Sequence, residues 1–194
     1  MYKLRIIHPN ANNRLKLLPV MHGVVGVLFL VNALGIYRGA QPNWFLASFF
    51  VAVGLASLVF PFTARKFRNF PAANTMARIV QVFVCMTGSL YFLSHLAPMA
   101  ALMLIIVGAG LAYIAWSEYK VFQPAFLRLD QTGISVPTAF ATKVIGWNEL
   151  NNVILRNDLL TLDFKTNKVV QLDLVELPAQ EERDALNAFC KSRI

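Results

Sequence analysis

Few side chains in this 194-residue sequence are of a type and spacing that could do chemistry. The two cysteines, Cys85 and Cys190, form no Cys-x-x-Cys pair and no cluster with histidine, so no metal-ligand pattern is present in the sequence. Cys85 sits in an apolar run and Cys190 in the polar tail, and both read as small packing residues. His22 and His95 lie in apolar runs, which raises the question of a b-type haem. Helix rise argues against it. His22 is about four residues from the start of its run and His95 about nineteen from the start of its own, so at about 1.5 Å per residue they differ in depth by roughly 20 Å. By the same arithmetic Gln81, about five residues into its run, shares the depth of His22. His22 and Gln81 are therefore expected to meet as an intramembrane polar contact worth about 0.6 kcal/mol. The tail holds no Ser/His/Asp set, Gly-rich phosphate loop or acid-base pair of carboxylates. No catalytic, metal-ligating or cofactor-binding residue is assigned, and no cofactor is expected. Trp147 reads as a core anchor together with Leu162 and Phe164, and Glu149 as a local cap.

The elements that must position these groups follow from composition. Hydrophobic residues make up 57% of the chain and charged residues 14%, against about 25% charged in ordinary soluble proteins. Every acidic residue lies between Glu118 and Asp184, so the first 117 positions carry nine lysines and arginines and no carboxylate. Four runs, Leu18 to Tyr37, Trp44 to Phe62, Met76 to Ala97 and Pro98 to Trp116, approach or reach the roughly 20 helical residues needed to cross a bilayer. The first is too long for a signal-peptide core and lacks a cleavage site, so it reads as a retained span. Segments holding 17 of the 18 basic residues fall on one side of such a bundle, which the positive-inside rule makes cytoplasmic, with both termini there. Tyr37 and Trp44 then mark the outer interface, and Tyr113, Trp116 and Tyr119 the inner one.

These spans, as bounded, contain no Asp or Glu, which argues against an ion-coupled carrier or a carboxylate-dependent membrane hydrolase. Ser48, Ala52 and Ala56 recur every four positions, as do Gly108 and Ala112, a spacing that serves helix packing or self-association. The loop Phe60 to Asn74 interleaves aromatics with Arg65, Lys66 and Arg68, which are expected to contact anionic lipid headgroups. Nucleic acid is not an expected partner, because the basic residues are spread over loops and the tail is slightly acidic.

From Pro124 the hydrophobic period changes to two. Strands are expected at Phe126 to Asp130, Ile134 to Val136, Lys143 to Trp147, Asn152 to Arg156, Leu159 to Lys165 and Val169 to Leu174. A closing helix with Pro178 in its first turn should follow, Glu181 and Glu182 near its start and Lys191 and Arg193 near its end matching its dipole. Leu186, Phe189 and Cys190 share one face, suited to capping the sheet. The alternation over Tyr2 to Ile7 predicts a further strand that pairs with the sheet's edge. A two-residue turn at Asn157-Asp158 sets Val153 opposite Leu162 and Leu155 opposite Leu160. A three-residue loop at Thr166 to Lys168 would then pair Phe164 with Val170, Leu162 with Leu172 and Leu160 with Leu174.

The run Ile145-Gly146-Trp147-Asn148-Glu149-Leu150-Asn151-Asn152-Val153, followed by Leu159-Leu160-Thr161-Leu162-Asp163-Phe164, resembles bacterial pleckstrin-homology-like domains appended to small membrane proteins. The resemblance covers about residues 124 to 194. It implies an antiparallel sheet with a closing helix and a docking role, and it carries over no catalytic or binding residue. The tail alone is short for a seven-stranded barrel of this kind, and no basic phosphoinositide loop follows its first strands.

The expected fold class is thus an α-helical bundle of four transmembrane helices plus a small α+β cytoplasmic domain, an antiparallel PH-like sheet with a C-terminal helix. Residues 1–17 form a cytoplasmic N-terminal segment, 18–122 the transmembrane domain and 123–194 the cytoplasmic domain. The expected function is a non-catalytic scaffold or accessory subunit of the bacterial inner membrane, partnered by membrane lipids and by protein or a second copy. The alternative is a small-solute transporter or membrane enzyme whose His22, Asn32, Gln81, Ser89 and Tyr91 line a cavity.

Overall fold

The computed structural model describes residues 1–39 and 41–194, with the side chain of Arg65 outside the described residues. The chain divides into two compact units, one of Asn13–Tyr119 and the other of Met1–Asn12 with Lys120–Ile194.

The first unit is built on four helices, α1 (Ala11–Arg38), α2 (Trp44–Thr63), α3 (Phe70–Ser94) and α4 (Pro98–Phe122), all long and apolar enough to cross a membrane. Their ends follow local chemistry. The side chain of Asn43 accepts from Leu46 N at 2.9 Å and caps α2, and Asn69 does the same for α3 through Ala72 N at 3.2 Å. With Pro71 in its first turn, α3 therefore begins six residues before the apolar run at Met76. A 3-10 turn, Ala64–Lys66, joins α2 to α3, so the expected fifteen-residue loop is mostly helical. The backbones of α1 and α2 meet at Gly26 and Gly54, where a Cβ on Gly26 would lie 2.8 Å from Gly54 O. At Gly88 a Cβ would lie 2.5 Å from the Phe50 ring. Inside the chain, α2 packs through Leu46, Ala47, Phe50, Gly54 and Ser57, while Ser48, Ala52 and Ala56 are exposed. The four-residue spacing in α2 thus marks the face that does not pack within the chain. In α4, Gly108 is buried against Cys85, and Ala112 is exposed.

The second unit holds two antiparallel sheets. One has the order β1 (Tyr2–Ile6), β2 (Ala125–Leu129), β3 (Gly133–Pro137), β4 (Thr142–Gly146); the other β5 (Leu150–Arg156), β6 (Leu159–Phe164), β7 (Val169–Asp173). The sequence alternation of residues 2–7 is realised as β1, which pairs along its whole length with β2, from Tyr2 opposite Leu129 to Ile6 opposite Ala125. Its far end also joins the other sheet, through Ile7 N donating to Asp173 O at 2.8 Å and Val175 N donating to Arg5 O at 2.9 Å. Between β4 and β5 the chain turns through Trp147–Glu149, held by Gly146 N donating to Glu149 Oε1 at 3.0 Å. Gly133, at φ +155°, closes the β2–β3 turn where a Cβ would lie 2.2 Å from Ile145 O. Asp130 binds that turn with Oδ1, accepting from Thr132 and Gly133, and these bonds hold its carboxyl below the usual range.

The closing helix α5 (Gln180–Lys191) buries Leu186 and Cys190 in a core with Trp147, Leu162 and Phe164. Burial pushes the Cys190 thiol up to about 11. Pro178 lies outside α5, whose N-cap is Ala179. Helix and sheet are also tied by a side chain that imitates a strand: Asn187 Oδ1 accepts from Leu155 N at 2.8 Å and its Nδ2 donates to Leu155 O at 3.1 Å, covering an exposed stretch of the β5 edge. The Phe189 ring lies 5.2 Å from Tyr2 and 5.9 Å from Trp147, bringing both chain ends to one point of the core.

The β5–β6 register sets Val153 opposite Leu162 and Leu155 opposite Leu160, as its pattern predicts. The β6–β7 register differs from expectation: Leu162 faces Val170 and Leu160 faces Leu172. Asn167, at φ +61°, donates from N to Phe164 O at 2.9 Å, while Phe164 N donates to Lys168 O at 2.9 Å. The three-residue loop is therefore Lys165 to Asn167, one position earlier than expected, with Asn in the left-handed position that completes such a loop. A slip of two residues keeps every side chain on its face, so Leu162 and Leu172 stay buried.

Two outcomes follow. Leu162→Asp places a carboxylate in this core without a partner, costing several kcal/mol. It should abolish the near-ultraviolet dichroism of the sheet unit in the full chain, whereas Asp163→Ala should shift stability by less than about 0.5 kcal/mol. The second concerns His8, which is buried with Nδ1 accepting from Asn10 N at 3.1 Å, a bond that requires the neutral ring. Desolvation lowers its pKa below 6.5, opposed by the Thr138 backbone. As pH falls through 6.5 the unfolded chain takes up a proton that the folded chain resists, so stability present at pH 8 should decline toward pH 5. Thermal melts across that range should show the decline in the parent and a flatter profile in His8→Gln; equal slopes would rule this out.

Candidate functional site

Along α3, Asn74, Arg78 and Gln81 stand four and three residues apart, which places them on one helical face. That face is buried: Arg78 is 0% exposed and Gln81 1%. Within the helical unit a guanidinium needs an anion, and Glu118 of α4 supplies it. Arg78 Nε donates to Glu118 Oε2 at 3.0 Å and Nη2 to Oε1 at 3.1 Å, a two-pronged ion pair with Glu118 only 2% exposed. Asn74 Nδ2 donates a third bond to Glu118 Oε2 at 2.8 Å.

The remaining contacts close a ring. Asn74 uses its amide nitrogen on Glu118, so its Oδ1 faces His22 Nε2 at 3.2 Å as acceptor. Nε2 of His22 therefore carries the proton, and Nδ1 accepts from Gln81 Nε2 at 2.9 Å. Gln81 Nε2 also donates to Ser57 Oγ at 2.9 Å, while its Oε1 accepts from Arg78 Nη1 at 3.1 Å. Following donors to acceptors, Arg78 leads through Gln81, His22 and Asn74 to Glu118, which Arg78 also holds directly. Four helices contribute: His22 from α1, Ser57 from α2, three residues from α3 and Glu118 from α4. Arg14 Nη2 donates to Ser117 Oγ at 3.3 Å, fastening α1 to α4 beside the ring.

His22 and Gln81 thus meet, within a larger constellation than the two residues singled out from the sequence. Two sequence readings are corrected. Arg78, one of the 17 basic residues counted on the cytoplasmic side, is not free there: α3 starts at Phe70 and holds it buried against Glu118. Nor are the apolar helices free of carboxylates: α4 continues past Trp116 to Phe122 with Glu118 inside it, which removes the argument against ion coupling from absent carboxylates. Asn74, Ser57, Arg78 and Glu118 were not singled out from the sequence. The spacing of Asn74, Arg78 and Gln81, and a lone acid two residues before Lys120 at the end of an apolar run, were the signals available.

Of the other polar residues expected to line a cavity, Asn32 and Ser89 turn to their own helices, and Tyr91 Oη donates to Gln41 O at 3.4 Å. Asn32 Nδ2 donates to Leu28 O at 2.8 Å and Ser89 Oγ to Met86 O at 2.8 Å. Phe29, Phe50 and Val84, all fully buried, belong to the packed core around them. His95 is exposed, with its ring 4.0 Å from that of Tyr91. Lys66 and Arg68 are exposed on the α2–α3 connection; Arg65, grouped with them on sequence grounds, has its side chain outside the described residues. Trp147 is buried and its Nε1 donates to Asp130 O at 3.0 Å, beside Leu162 and Phe164 in the same core. Among the described residues no group of three or more His, Cys, Asp or Glu side chains could hold a metal ion.

The chain is therefore of a two-unit class, four long apolar helices and an antiparallel sheet unit closed by a helix. No family model, curated protein or solved structure matches it.

Removing one member of the ion pair strands the other. Arg78→Met or Glu118→Leu should each destabilise the detergent-solubilised chain by about 3–5 kcal/mol, and the double substitution by much less. His22→Ala removes two interhelical polar bonds worth about 0.6 kcal/mol each, and should cost less than either single substitution of the ion pair. Thermal unfolding of the four variants forms a double-mutant cycle with His22→Ala as the comparison; additive losses at Arg78 and Glu118 would contradict the pairing.

Proposed function

We propose that this chain is an integral protein of the bacterial inner membrane, with both termini cytoplasmic, that serves as a scaffold or accessory subunit. In this reading its helices are transmembrane and its sheet unit is a PH-like module that docks protein or lipid. The observation that carries the proposal is the make-up of the sheet unit. Its two sheets of four and three strands are capped by a C-terminal helix, and the strand missing from the short tail is β1, supplied from before the first apolar helix. A domain whose strands flank a membrane segment in sequence must have both flanks on one side of the bilayer, which agrees with the distribution of basic residues.

The polar ring supports a structural role for the helices. Its side chains spend their bonds on one another, and the carboxylate that would serve an ion-coupled carrier is held by three donated bonds. On the edge strand β4, whose outer backbone groups are open to a partner, Val144 is 57% exposed and is the side chain the docking proposal puts to the test. The rival reading, a transporter or membrane enzyme, rests on the same ring, since intramembrane charges are commonly functional.

Affinity purification of the full chain in mild detergent, with identification of co-purifying protein and lipid, separates these readings. A stoichiometric protein partner lost on Val144→Asp is the expected result. Uptake or turnover of a small solute by the purified chain in vesicles, abolished by Glu118→Gln, would favour the rival. Tags at both termini should be protected from external protease in spheroplasts; cleavage of either would overturn the topology.

A further inference from the structure

Beside the polar ring, between α2 and α3, the surface of the helical unit is indented by a groove of about 330 Å³. It exists because its walls are small: Ala56 of α2 faces Ala73 and Ala77 of α3. Ala56 belongs to the exposed small-residue spacing of α2 that packs against nothing within the chain. The floor is formed by Ser57 and Gln81, both members of the ring. Phe60 and Phe67 close one end, their rings stacked 6.1 Å apart, and the Phe60 ring lies 4.9 Å from that of His22.

Within the helical unit, charge at that end has one sign. Phe67 lies between Lys66 and Arg68, both exposed, and no acidic residue precedes Glu118, whose carboxylate is taken by Arg78. The chemistry that complements this lining is apolar along one part and anionic at its end.

We propose that this groove holds an acyl chain of an anionic phospholipid, with the headgroup against Lys66 and Arg68. The inference rests on the membrane reading above, under which the α2–α3 surface faces lipid and the occupant is drawn from the bilayer. The headgroup then lies at the level where basic residues near the surface each add about fivefold to anionic-lipid affinity. An occupied groove lies over Ser57 and Gln81, which are already buried, and adds a further apolar layer outside the polar ring.

The test is native mass spectrometry of the full chain titrated in detergent with dioleoyl phosphatidylglycerol or dioleoyl phosphatidylcholine. The parent should retain one phosphatidylglycerol in preference to phosphatidylcholine. Lys66→Gln with Arg68→Gln should lower that preference more than tenfold while leaving weak binding of either lipid. Ala77→Phe, which fills the groove, should lose both, and Ala73→Leu provides a milder filling if Ala77→Phe does not fold. Unchanged phosphatidylglycerol retention in the folded filled variant, or an undiminished preference without the two cations, would overturn the proposal. Extraction from membranes distinguishes the deeper failure: release by alkaline carbonate alone overturns the membrane reading, whereas a chain that needs detergent yet is indifferent to groove filling overturns the lipid site only.

Discussion

A guanidinium and a carboxylate can share an apolar interior only if each neutralises the other and their remaining polar atoms are bonded. Arg78 and Glu118 meet that condition, and much of the helical unit's arrangement follows from it. The fork between them fixes the rotation of α3 against α4, since Nε and Nη2 must both reach the carboxylate. Gln81 and Asn74 then have one face to share with Arg78, and His22 is drawn to them because each offers it one bond of the right sense. Ser57 adds α2. The ring is thus a device of registry: slide or rotate one helix and a buried polar atom loses its partner. Away from it the helices pack by contact alone, where glycines at 26, 54 and 88 allow close approach.

The sheet unit is organised by a different constraint, the need to satisfy strand edges. β1 is held on both sides, by β2 along its length and by the end of β7 at its last residues. Asn187 answers the β5 edge with a single amide. Edges closed in these ways leave an open side on β4 and on most of β7. β4 carries Lys143 beside Val144, a cation that discourages indiscriminate pairing while leaving an apolar contact for a specific one, and the proposed docking role draws on that pair.

The ring and the α2–α3 groove connect the packing of the helices to the proposed partnership with lipid. The same face of α3 that buries Arg78 and Gln81 turns Ala73 and Ala77 toward α2 at its margin, so a helix committed to a polar interior leaves a shallow apolar recess beside it. The proposed acyl chain would lie directly over Gln81, a residue already buried by the registry of the helices.

Much of the architecture was legible in the sequence because hydrophobic period is local information. The four apolar helices, the alternation of β1, the Val153–Leu162 register and the face shared by Leu186 and Cys190 all depend on neighbours a few residues apart. The expectation that His22 and Gln81 meet also needed only depth along two helices. What the sequence could not decide were matters of capping and of long-range pairing. Asn69 with Pro71 moved the start of α3 back and carried Arg78 inward; that α4 runs on to Phe122 was within reach of the sequence, since Pro124 disfavours helix at the residue before it, but its Glu118 pairing with Arg78 was not. Whether Arg78 is a loop cation or half of a buried pair depends on a residue forty positions away, so charge counting reads it as free. The β6–β7 loop turned on which residue takes positive φ, and Asn167 took it. That choice moved the partners by two positions and left the buried face unchanged, because a strand repeats every second residue. Periodicity in the sequence fixes which side of each element is buried; only tertiary structure selects the partner it is buried against, since that depends on groups brought together by folding.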